Sequence, residues 1–255
     1  MVAYSGGVDS AFLAVVAHDA LGADMVAVIA DTPSLPRREL AEALALAKRF
    51  SFEVRVIKTD EMSDASYANN PPDRCFFCKA ELFRKMTALA ESDGWRSIVY
   101  GENADDTGDF RPGSQAAAAV GVRAPLKEAG LTKAEIRAFS AEMGLPTADK
   151  PAMACLSSRI PYGEPVTTEA LAMIEAAENV LRDRGFREVR VRHHRTLARI
   201  EVGVPEMFRI VETKMREGIC EELKRIGYTY VALDLRGYRQ GSLNEVLATT
   251  QKVGI

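Results

Sequence analysis

The stretch Ser5-Gly6-Gly7-Val8-Asp9-Ser10 lies between an apolar segment, residues 2–4, and a helical segment, residues 11–20. The apolar segment predicts a short β-strand, so the two glycines fall at a strand-to-helix junction. Glycines let the backbone come close to a ligand, and the free amides of a helix N-terminus attract anions. This arrangement predicts a phosphate-binding loop.

The side chains of this loop support the same interpretation. Ser5 and Ser10 add hydroxyl donors, whereas Asp9 would repel a phosphate unless a divalent cation lay between them. We therefore assign Gly6, Gly7 and both serines to phosphate and Asp9 to Mg²⁺. A tight turn with an ordinary N-cap also favours glycine and serine. Six matched residues at one junction favour the phosphate loop over the simple turn.

Short apolar strands alternate with helical segments after the loop. We predict strands at residues 25–30, 53–57 and 97–100 and helices at residues 38–50 and 79–92. This order is typical of a parallel sheet with helices on both faces. Residues 1–150 are therefore predicted to form an α/β nucleotide-binding domain.

A second pattern begins after residues 151–166, which are rich in Pro, Ser and Gly and predict a loop between two modules. The order is then helix, strand, strand, helix, strand, at residues 167–184, 188–194, 197–202, 205–226 and 230–235. Residues 167–255 are therefore predicted to form a smaller α+β module for substrate binding and oligomerisation.

Composition and charge narrow the class of partner. The chain has 255 residues, a hydrophobic fraction of 47% and a net charge of -3. The acidic balance argues against a nucleic-acid surface, and no apolar run reaches the roughly 18 residues of a membrane span. We expect a cytoplasmic protein with small-molecule partners. Its four cysteines favour metal-binding or reactive thiols over disulfides, although Cys220, which has no partner nearby in sequence, is interpreted as a core residue.

Residues 5–10 and two later stretches resemble the PP-loop ATP pyrophosphatases, which split ATP to AMP and pyrophosphate and adenylate an oxygen of the substrate. Gly101-Glu102-Asn103-Ala104-Asp105-Asp106 resembles their second nucleotide-side loop. Leu131-Thr132-Lys133-Ala134-Glu135-Ile136-Arg137 resembles the segment whose lysine meets the polyphosphate. The resemblance makes Gly101, Lys133 and Asp31, which ends the second strand, candidate ATP-binding residues. Without it, Lys133 would be interpreted as a solvated helix charge.

Three further stretches resemble the LarE family of sulfur transferases, and this resemblance covers nearly the whole chain. They are Arg74-Cys75-Phe76-Phe77-Cys78-Lys79, Asp109-Phe110-Arg111-Pro112-Gly113 and Ala154-Cys155-Leu156-Ser157-Ser158-Arg159-Ile160-Pro161-Tyr162-Gly163. LarE proteins adenylate a carboxylate of pyridinium-3,5-biscarboxylic acid mononucleotide and convert it to a thiocarboxylate, on the way to the nickel-pincer nucleotide cofactor of lactate racemase. The resemblance implies that Cys155 handles the sulfur.

The family resemblance also implies a choice between two sulfur sources. Some members sacrifice the sulfur of one cysteine and are left with dehydroalanine, whereas others have two extra cysteines and hold an iron-sulfur cluster. This sequence has the extra pair, so we favour a [4Fe-4S] cluster on Cys75, Cys78 and Cys155 with one iron open to sulfide. A structural zinc site, completed by His193 and His194, ranks below the cluster, and buried free thiols rank below zinc.

The predicted strand at residues 188–194 alternates apolar and basic residues, so its arginines share one face. Such a face is usually solvated. Glu178, however, lies in the apolar stripe of the preceding helix and is expected to pair with an arginine. The LarE resemblance places a substrate phosphate on Ser158, Arg190 and Arg192, and arginine forks suit phosphate. The substrate-binding candidates are these three residues, Glu178 and, on the next strand, Glu201.

Two other functions compete with sulfur transfer to a mononucleotide. Some tRNA thiolases pair a PP-loop with three cysteines and a cluster, but the acidic charge and the lack of an added RNA-binding module argue against one here. A nucleotide-binding regulator without chemistry is the second alternative, against which Asp9, Lys133 and Cys155 count. The LarE resemblance further implies a homo-oligomer, and repeated turnover would need an external sulfide or sulfur donor.

Overall fold

The computed structural model describes residues 1–106, 112–151 and 154–245 of the chain. The chain divides into two compact units, Met1–Met153 and Ala154–Ile255. The quoted residues Asp109, Phe110 and Arg111 lie outside the described part. No helix within the described residues is long and apolar enough to cross a membrane.

A four-stranded parallel sheet forms the centre of the first unit. Its strands are β1 (Val2–Ala3), β2 (Ala27–Asp31), β3 (Val54–Lys58) and β4 (Val99–Tyr100), in the spatial order β3-β2-β1-β4. β1 pairs with β2 on one side and with β4 on the other, so the strand order reverses beside β1. Ligands of open α/β sheets bind at such a reversal, outside the carboxyl ends of the strands. The loops that follow β1 and β4 therefore meet at the expected binding crevice.

Helices lie on both faces of this sheet. They are α1 (Val8–Leu21), α2 (Arg37–Arg49), α3 (Ala65–Ala68), α4 (Arg74–Asp93), α5 (Pro112–Ala119), α6 (Pro125–Glu128) and α7 (Lys133–Glu142). Ile29 of β2 packs in an apolar cluster with residues of α1, α2 and α7, whereas its neighbour Val28 packs with residues of α4 and α5. Successive strand residues point to opposite faces, so the two clusters are on opposite sides. The predicted PP-loop type of α/β fold is confirmed.

Helix α4 begins earlier than the sequence pattern predicted. The prediction started this helix at Lys79, but α4 starts at Arg74, so Cys75 and Cys78 lie within its first two turns. Residues 75–82 are at most half-buried, and the fully buried positions of α4 begin only at Phe83 apart from Arg74. An apolar stripe that starts late in the helix explains why the pattern placed the start too far along the chain.

The second unit is built on a three-stranded mixed sheet in the order β5-β6-β7. β5 (Val189–His194) and β6 (Leu197–Val202) form an antiparallel hairpin, and β7 (Tyr230–Leu233) runs parallel to β6. Helices α8 (Thr168–Arg182) and α10 (Thr213–Ile226) share one apolar cluster with the hairpin, in which Val189, Val191 and Leu223 are fully buried. The predicted α+β module is confirmed in type.

The long helix predicted at residues 205–226 is wrong. A short 3₁₀ turn, Val204–Glu206, leads into α9 (Met207–Ile210), and α10 begins only at Thr213. Glu212 has an extended backbone (φ -57°, ψ 138°) and interrupts the helix. The β-branched residues Val211 and Thr213 flank this position, and such residues have low helix propensity.

Candidate active site

The phosphate loop is held in shape by its own residues. Gly6 has φ +72°, and a Cβ there would lie 2.7 Å from the Cβ of Ala43 on α2, so this position requires glycine. The Ser5 amide donates to Ser10 Oγ at 3.2 Å, and the two serine hydroxyls are 3.0 Å apart. Ser10 Oγ in turn donates to the Gly7 carbonyl at 3.2 Å. The loop is therefore preorganised at the N-terminus of α1, with Ser5 exposed and Ser10 buried.

Asp9, in the first turn of α1, uses only one of its two carboxylate oxygens. Oδ2 accepts hydrogen bonds from Lys133 Nζ and, at 3.4 Å, from Asn103 Nδ2. Oδ1 is buried, and no donor among the described residues reaches it. A carboxylate oxygen whose lone pairs accept no hydrogen bond is the type of ligand that Mg²⁺ prefers. Asp9 therefore fits the predicted magnesium ligand.

The loop after β4 packs directly against the phosphate loop. A Cβ on Gly101 would lie 2.8 Å from the Ser10 amide nitrogen, so only glycine allows this approach. Asp105 Oδ2 accepts the backbone N–H of Lys133 at 2.8 Å and so anchors the first residue of α7. The structure thus brings together Gly101, Lys133 and the phosphate loop, as the sequence motifs suggested. Asn103 and Asp105, which hold these groups in place, had no assigned role in the sequence interpretation.

Glu102 forms a second charged centre in the same loop. It is 5% exposed and accepts hydrogen bonds from Lys127 Nζ at 3.1 Å, from Ser114 Oγ at 3.0 Å and from the Tyr100 hydroxyl. Burial alone would raise the pKa of Glu102, but these hydrogen bonds outweigh burial and hold its pKa below the ordinary value. Glu102 is therefore ionised at neutral pH.

Asp31 is at the carboxyl end of β2, on the same edge of the sheet as the phosphate loop. Its carboxylate pairs with Arg37, which also donates to the carbonyls of Thr32 at 2.6 Å and Leu35 at 2.7 Å. Arg37 thus ties Asp31 to the turn before α2. The position fits the predicted ATP site, and the arginine partner was not foreseen from the sequence.

Cys75 and Cys78 lie one turn apart on α4, Cys75 exposed and Cys78 half-buried. Residues three apart on a helix share one face, with Cβ atoms about 5–6 Å apart. The pair can thus give two thiolates to one centre. Within residues 1–106, 112–151 and 154–245, no group of three or more His, Cys, Asp or Glu side chains is placed to hold a metal ion. The third predicted ligand, Cys155, belongs to the second unit, so the convergence of the three thiols stays a prediction.

Cys155 is a half-buried free thiol that precedes the 3₁₀ turn Leu156–Arg159. Its carbonyl accepts hydrogen bonds from the Ser158 amide at 3.0 Å, from Ser158 Oγ at 2.8 Å and from Arg159 Nη1 at 3.0 Å. Three donors on one carbonyl fix the backbone of Cys155. The backbone of Cys155 is therefore tied to the start of this turn.

Two buried arginine-glutamate pairs stabilise the second unit around this turn. Arg159 donates to both carboxylate oxygens of Glu178, at 2.7 and 3.1 Å. Arg192 donates to both oxygens of Glu201, at 2.9 and 2.8 Å. Both glutamates are completely buried. Burial raises the pKa of Glu178, but the charge and hydrogen bonds of Arg159 outweigh it, so the pKa lies below its ordinary value.

Comparison with known proteins gives two kinds of match. The family model of NAD synthases matches residues 1–85, which include the phosphate loop. Over 98% of its length, the chain is 36% identical to the pyridinium-3,5-bisthiocarboxylic acid mononucleotide synthase of Lactiplantibacillus plantarum, of which it covers 90%. The chain belongs to the LarE family. Uncharacterized proteins of Synechocystis sp. and Methanocaldococcus jannaschii are 44% and 28% identical over 97% and 94% of the chain, which covers 92% and 90% of those proteins.

Membership of the LarE family means that the chain is an enzyme of the PP-loop group, as the sequence predicted. Sulfur transfer is the chemistry that this kinship supports.

The arginine face of this LarE chain differs from the expected one. The alternation along β5 predicted that Arg190 and Arg192 would present two guanidinium groups together. Arg192 is instead 6% exposed, and besides Glu201 it donates to the Ser158 carbonyl and to Ser242 Oγ, both at 2.7 Å. Four of its five N–H donors are therefore used within the second unit. At Arg192 the polar face of β5 is covered by the turns that contain Ser158 and Ser242, so this arginine is not solvated.

Arg190 has a different environment from Arg192. It is half-buried, donates to the Val189 carbonyl at 2.7 Å and lies with its guanidinium carbon 5.0 Å from the ring centre of Tyr238. Burial, and after it repulsion from Arg159, lowers the pKa of Arg190 to about 10. The group keeps its charge at neutral pH. A phosphate placed beside it would compensate both the burial and the repulsion.

Arg159 is the residue of the second unit that the sequence interpretation missed. It was quoted in the cysteine stretch without a role, although Glu178 was expected to pair with an arginine. The side chain spans from Glu178 to the Ala154 carbonyl, at 2.7 Å, and to the Cys155 carbonyl. An acidic residue in an apolar helix stripe was the signal for the pair, but sequence spacing could not say which arginine would fill it.

Proposed function

We propose that this LarE-family chain is an ATP-dependent sulfur transferase of nickel-pincer nucleotide cofactor biosynthesis. Its reaction would convert a carboxylate of pyridinium-3,5-biscarboxylic acid mononucleotide to a thiocarboxylate. The observation that carries the proposal is the environment of Asp9. One of its carboxylate oxygens accepts a hydrogen bond from Lys133, and the other, buried in the phosphate loop, has no donor among the described residues. The substrate class comes from the name of the Lactiplantibacillus plantarum relative.

The first half-reaction would activate the carboxylate. A carboxylate oxygen of the substrate attacks the α-phosphorus of ATP, and the bond from that phosphorus to the bridging oxygen breaks, so pyrophosphate leaves with the electron pair. The amides and hydroxyls of residues 5–10 would hold the departing phosphates. Lys133 would neutralise their charge. Asp9 would hold Mg²⁺ through Oδ1, and the ion would supply charge stabilisation for the leaving group.

The second half-reaction would replace oxygen by sulfur. A sulfur nucleophile attacks the acyl carbon of the adenylate, the bond from that carbon to the AMP oxygen breaks, and AMP leaves. Cys75, Cys78 and Cys155 would together hold a [4Fe-4S] cluster, which would supply sulfide to this step when bound. The hydrogen bonds that hold the Cys155 carbonyl support the role of this residue as a ligand with a fixed backbone. An external sulfide or sulfur donor would restore the enzyme for the next turnover.

Substrate binding would use the second unit. The mononucleotide has a phosphate, and Arg190 is a half-buried cation whose pKa is lowered to about 10, mainly by burial. A phosphate dianion is the ligand that would relieve this unfavourable burial. Ser158, Glu178, Arg192 and Glu201 stay candidates for the same site. In this proposal the two glutamates act by fixing their arginine partners.

Two alternatives remain as outcomes of the test. A tRNA thiolase would modify RNA, and the net charge of -3 argues against an RNA-binding surface. In a sacrificial mechanism Cys155 itself would lose its sulfur.

We also propose a homo-oligomer, supported by the exposed side chains of Val204, Phe208 and Val211 in the second unit. Light scattering that gave the mass of a monomer would contradict it.

The test is a reaction of the purified, anaerobically reconstituted chain with ATP, Mg²⁺, sulfide and the biscarboxylic mononucleotide. We expect AMP, pyrophosphate and a thiocarboxylate in the mass spectrum, and modification of tRNA would favour the thiolase instead. Asp9→Ala should lower turnover at least about 100-fold, because a metal ion contributes several kcal/mol of charge stabilisation. Asp19→Ala, an exposed change on the same helix, should have no effect. ADP and phosphate as products would refute the proposal.

A further inference from the structure

Asp9 Oδ2 is bound by two donors of different character. Lys133 Nζ is a cation at the end of a long side chain that is 39% exposed. Asn103 Nδ2 is a neutral donor at 3.4 Å, on a residue that is completely buried. One donor can therefore move out to solvent or ligand, and the other cannot.

The Asn103 side chain is locked by the rest of its loop. Its Oδ1 accepts a hydrogen bond from the Asp105 backbone N–H at 3.0 Å, and the Asn103 backbone N–H donates to Asp106 Oδ2 at 3.1 Å. Because Oδ1 faces an N–H group, the NH₂ end of the amide must face Asp9, which fixes the orientation that coordinates alone leave ambiguous. The loop itself is tied down by the Ala104 amide, which donates to the Leu131 carbonyl at 2.8 Å.

The negative charge of a bound nucleotide would change the ionic partners of Lys133 and Asp9. A polyphosphate in the loop of residues 5–10 would attract the Lys133 ammonium more strongly than one carboxylate does, since it carries several negative charges. Asp9 would then lose its cationic partner, and Mg²⁺ would take the place of that charge. An amide donor does not compete with the ion, because it adds no net charge.

We propose that Asn103 is a positioning residue that holds Asp9 in place while its cationic partner is exchanged from Lys133 to Mg²⁺. Asn103 binds Oδ2 and so presents Oδ1 to the metal ion. The inference rests on the proposed ATP-dependent function and adds to it a residue and an order of events. In this scheme Lys133 binds the phosphates, and Asn103 positions the metal ligand Asp9.

Calorimetric titration of ATP, with Mg²⁺ and with chelator in its place, separates these roles. Asn103→Ala should lose about tenfold in affinity for Mg·ATP, as expected for a lost hydrogen bond to a charged group, with metal-free ATP affected less than about twofold. Lys133→Ala should weaken both forms and keep the ratio of the two affinities. Asn69→Ala is the matched control, because it removes the same side-chain amide from an exposed position of the first unit. Its ratio of the two affinities should equal that of the unmodified chain.

The outcomes distinguish this inference from the proposed function. An unmodified chain that binds no ATP, or shows no preference for Mg·ATP, would contradict the proposed function itself. If the unmodified chain prefers Mg·ATP and Asn103→Ala keeps the full preference, the role of Asn103 is wrong and the function stands. If Asn103→Ala does not fold, Lys133→Ala still distinguishes the two residues. A Lys133→Ala variant that no longer prefers Mg·ATP over metal-free ATP would mean that Lys133, and not Asn103, holds Asp9 for the metal.

Discussion

Arg190 and Arg192 are two residues apart on β5, yet their surroundings predict different roles. Arg192 forms a bidentate pair with the completely buried Glu201, whereas Arg190 lies against the ring of Tyr238 and is half-buried. A guanidinium that is committed to a buried carboxylate contributes to folding. A guanidinium that is desolvated, with its pKa lowered to about 10, gains from an incoming anion.

The Arg192→Ala substitution should therefore reduce stability. Removing one partner of a buried ion pair costs about 3–5 kcal/mol, and Glu201 would keep only the partly exposed Arg199, at 3.3 Å, as a cationic partner. Urea unfolding of the purified chain measures this loss. Arg225→Ala is the control, because Arg225 pairs with Glu221 at the surface, where both side chains are about 70% exposed, and should cost about 0–1 kcal/mol. Equal effects of the two substitutions would contradict the assignment.

The Arg190→Ala substitution should instead weaken substrate binding. One charge-assisted contact to a phosphate contributes about 1.5–3 kcal/mol, so calorimetry should show the mononucleotide bound correspondingly less tightly. The affinity for ATP, whose proposed site lies in the first unit, should stay unchanged and serves as the internal control. Unchanged affinity for the mononucleotide would remove Arg190 from the substrate site.

Single residues also show which contacts can be predicted from the sequence and which cannot. Asp9, Lys133 and Gly101 were found because a motif fixes their spacing, and the structure places them together. Asn103 was inside a quoted motif but received no role, since its contact with Asp9 spans 94 residues of sequence. A contact between residues so far apart in sequence depends on the pairing of β1 with β4, and no local sequence pattern predicts that pairing.

At the scale of elements, the phosphate loop and the hairpin were predicted well, and helix ends were not. β6 was predicted at residues 197–202, the range observed, because alternation is strict there. Helix α4 was started late because its first turns, with Cys75 and Cys78, lack a buried stripe. The break at Glu212 was missed because its cause is one extended residue within an otherwise amphipathic stretch. The periodicity of apolar residues marks neither position, so the sequence pattern could not place these helix starts.

Strand β5 also ends in a pair of histidines that should make stability depend on pH. Burial lowers the pKa of His193 and of His194 below the ordinary value of 6.5, with smaller contributions from neighbouring charges. The folded chain thus favours neutral imidazoles, whereas the unfolded chain takes up protons near pH 6.5. Acidification from about pH 7.5 to about 5.5 should therefore lower the free energy of unfolding.

Urea titrations at the two pH values measure this effect. The double variant His193→Gln/His194→Gln should show a flatter dependence, because it removes the groups that bind protons only after unfolding. His193 contacts the Tyr228 hydroxyl at 3.0 Å, so some loss of stability at every pH is expected in addition. The slope with pH, and not the absolute stability, is the deciding measurement. An unchanged slope in the double variant would assign the pH dependence to other groups.

For the whole molecule, the proposed reaction needs groups from both compact units. The phosphate loop, Asp9 and Lys133 belong to the first unit, whereas Cys155 and Arg190 belong to the second. The fold of each unit could be predicted from its own periodicity. The proposed cluster site could not, because its proposed ligands Cys78 and Cys155 lie about eighty positions apart in the sequence.

The iron content of the chain tests that joint site. Two thiolates on one helix face cannot hold a [4Fe-4S] cluster alone, so a cluster would require the third thiolate from Cys155. Anaerobic reconstitution should therefore give about four irons per chain and a broad thiolate-to-iron absorption. Changing Cys75, Cys78 or Cys155 to alanine should abolish both, and each change should do so to the same extent. Cys220→Ala is the control, because this half-buried thiol on α10 has no place in the set and should leave the iron bound.

The pattern of loss across the four variants identifies the chemistry. If Cys155→Ala kept its iron while Cys75→Ala lost it, the centre would belong to the first unit alone, and Cys155 would act separately as a sulfur donor. In that case the unmodified chain should lose the mass of H₂S at Cys155 after one turnover, since dehydroalanine forms when the thiol leaves. Zinc without iron would instead indicate a structural site, which four N or S ligands complete. Only equal loss in the three variants, with repeated turnover in the presence of sulfide, agrees with a cluster that both units share.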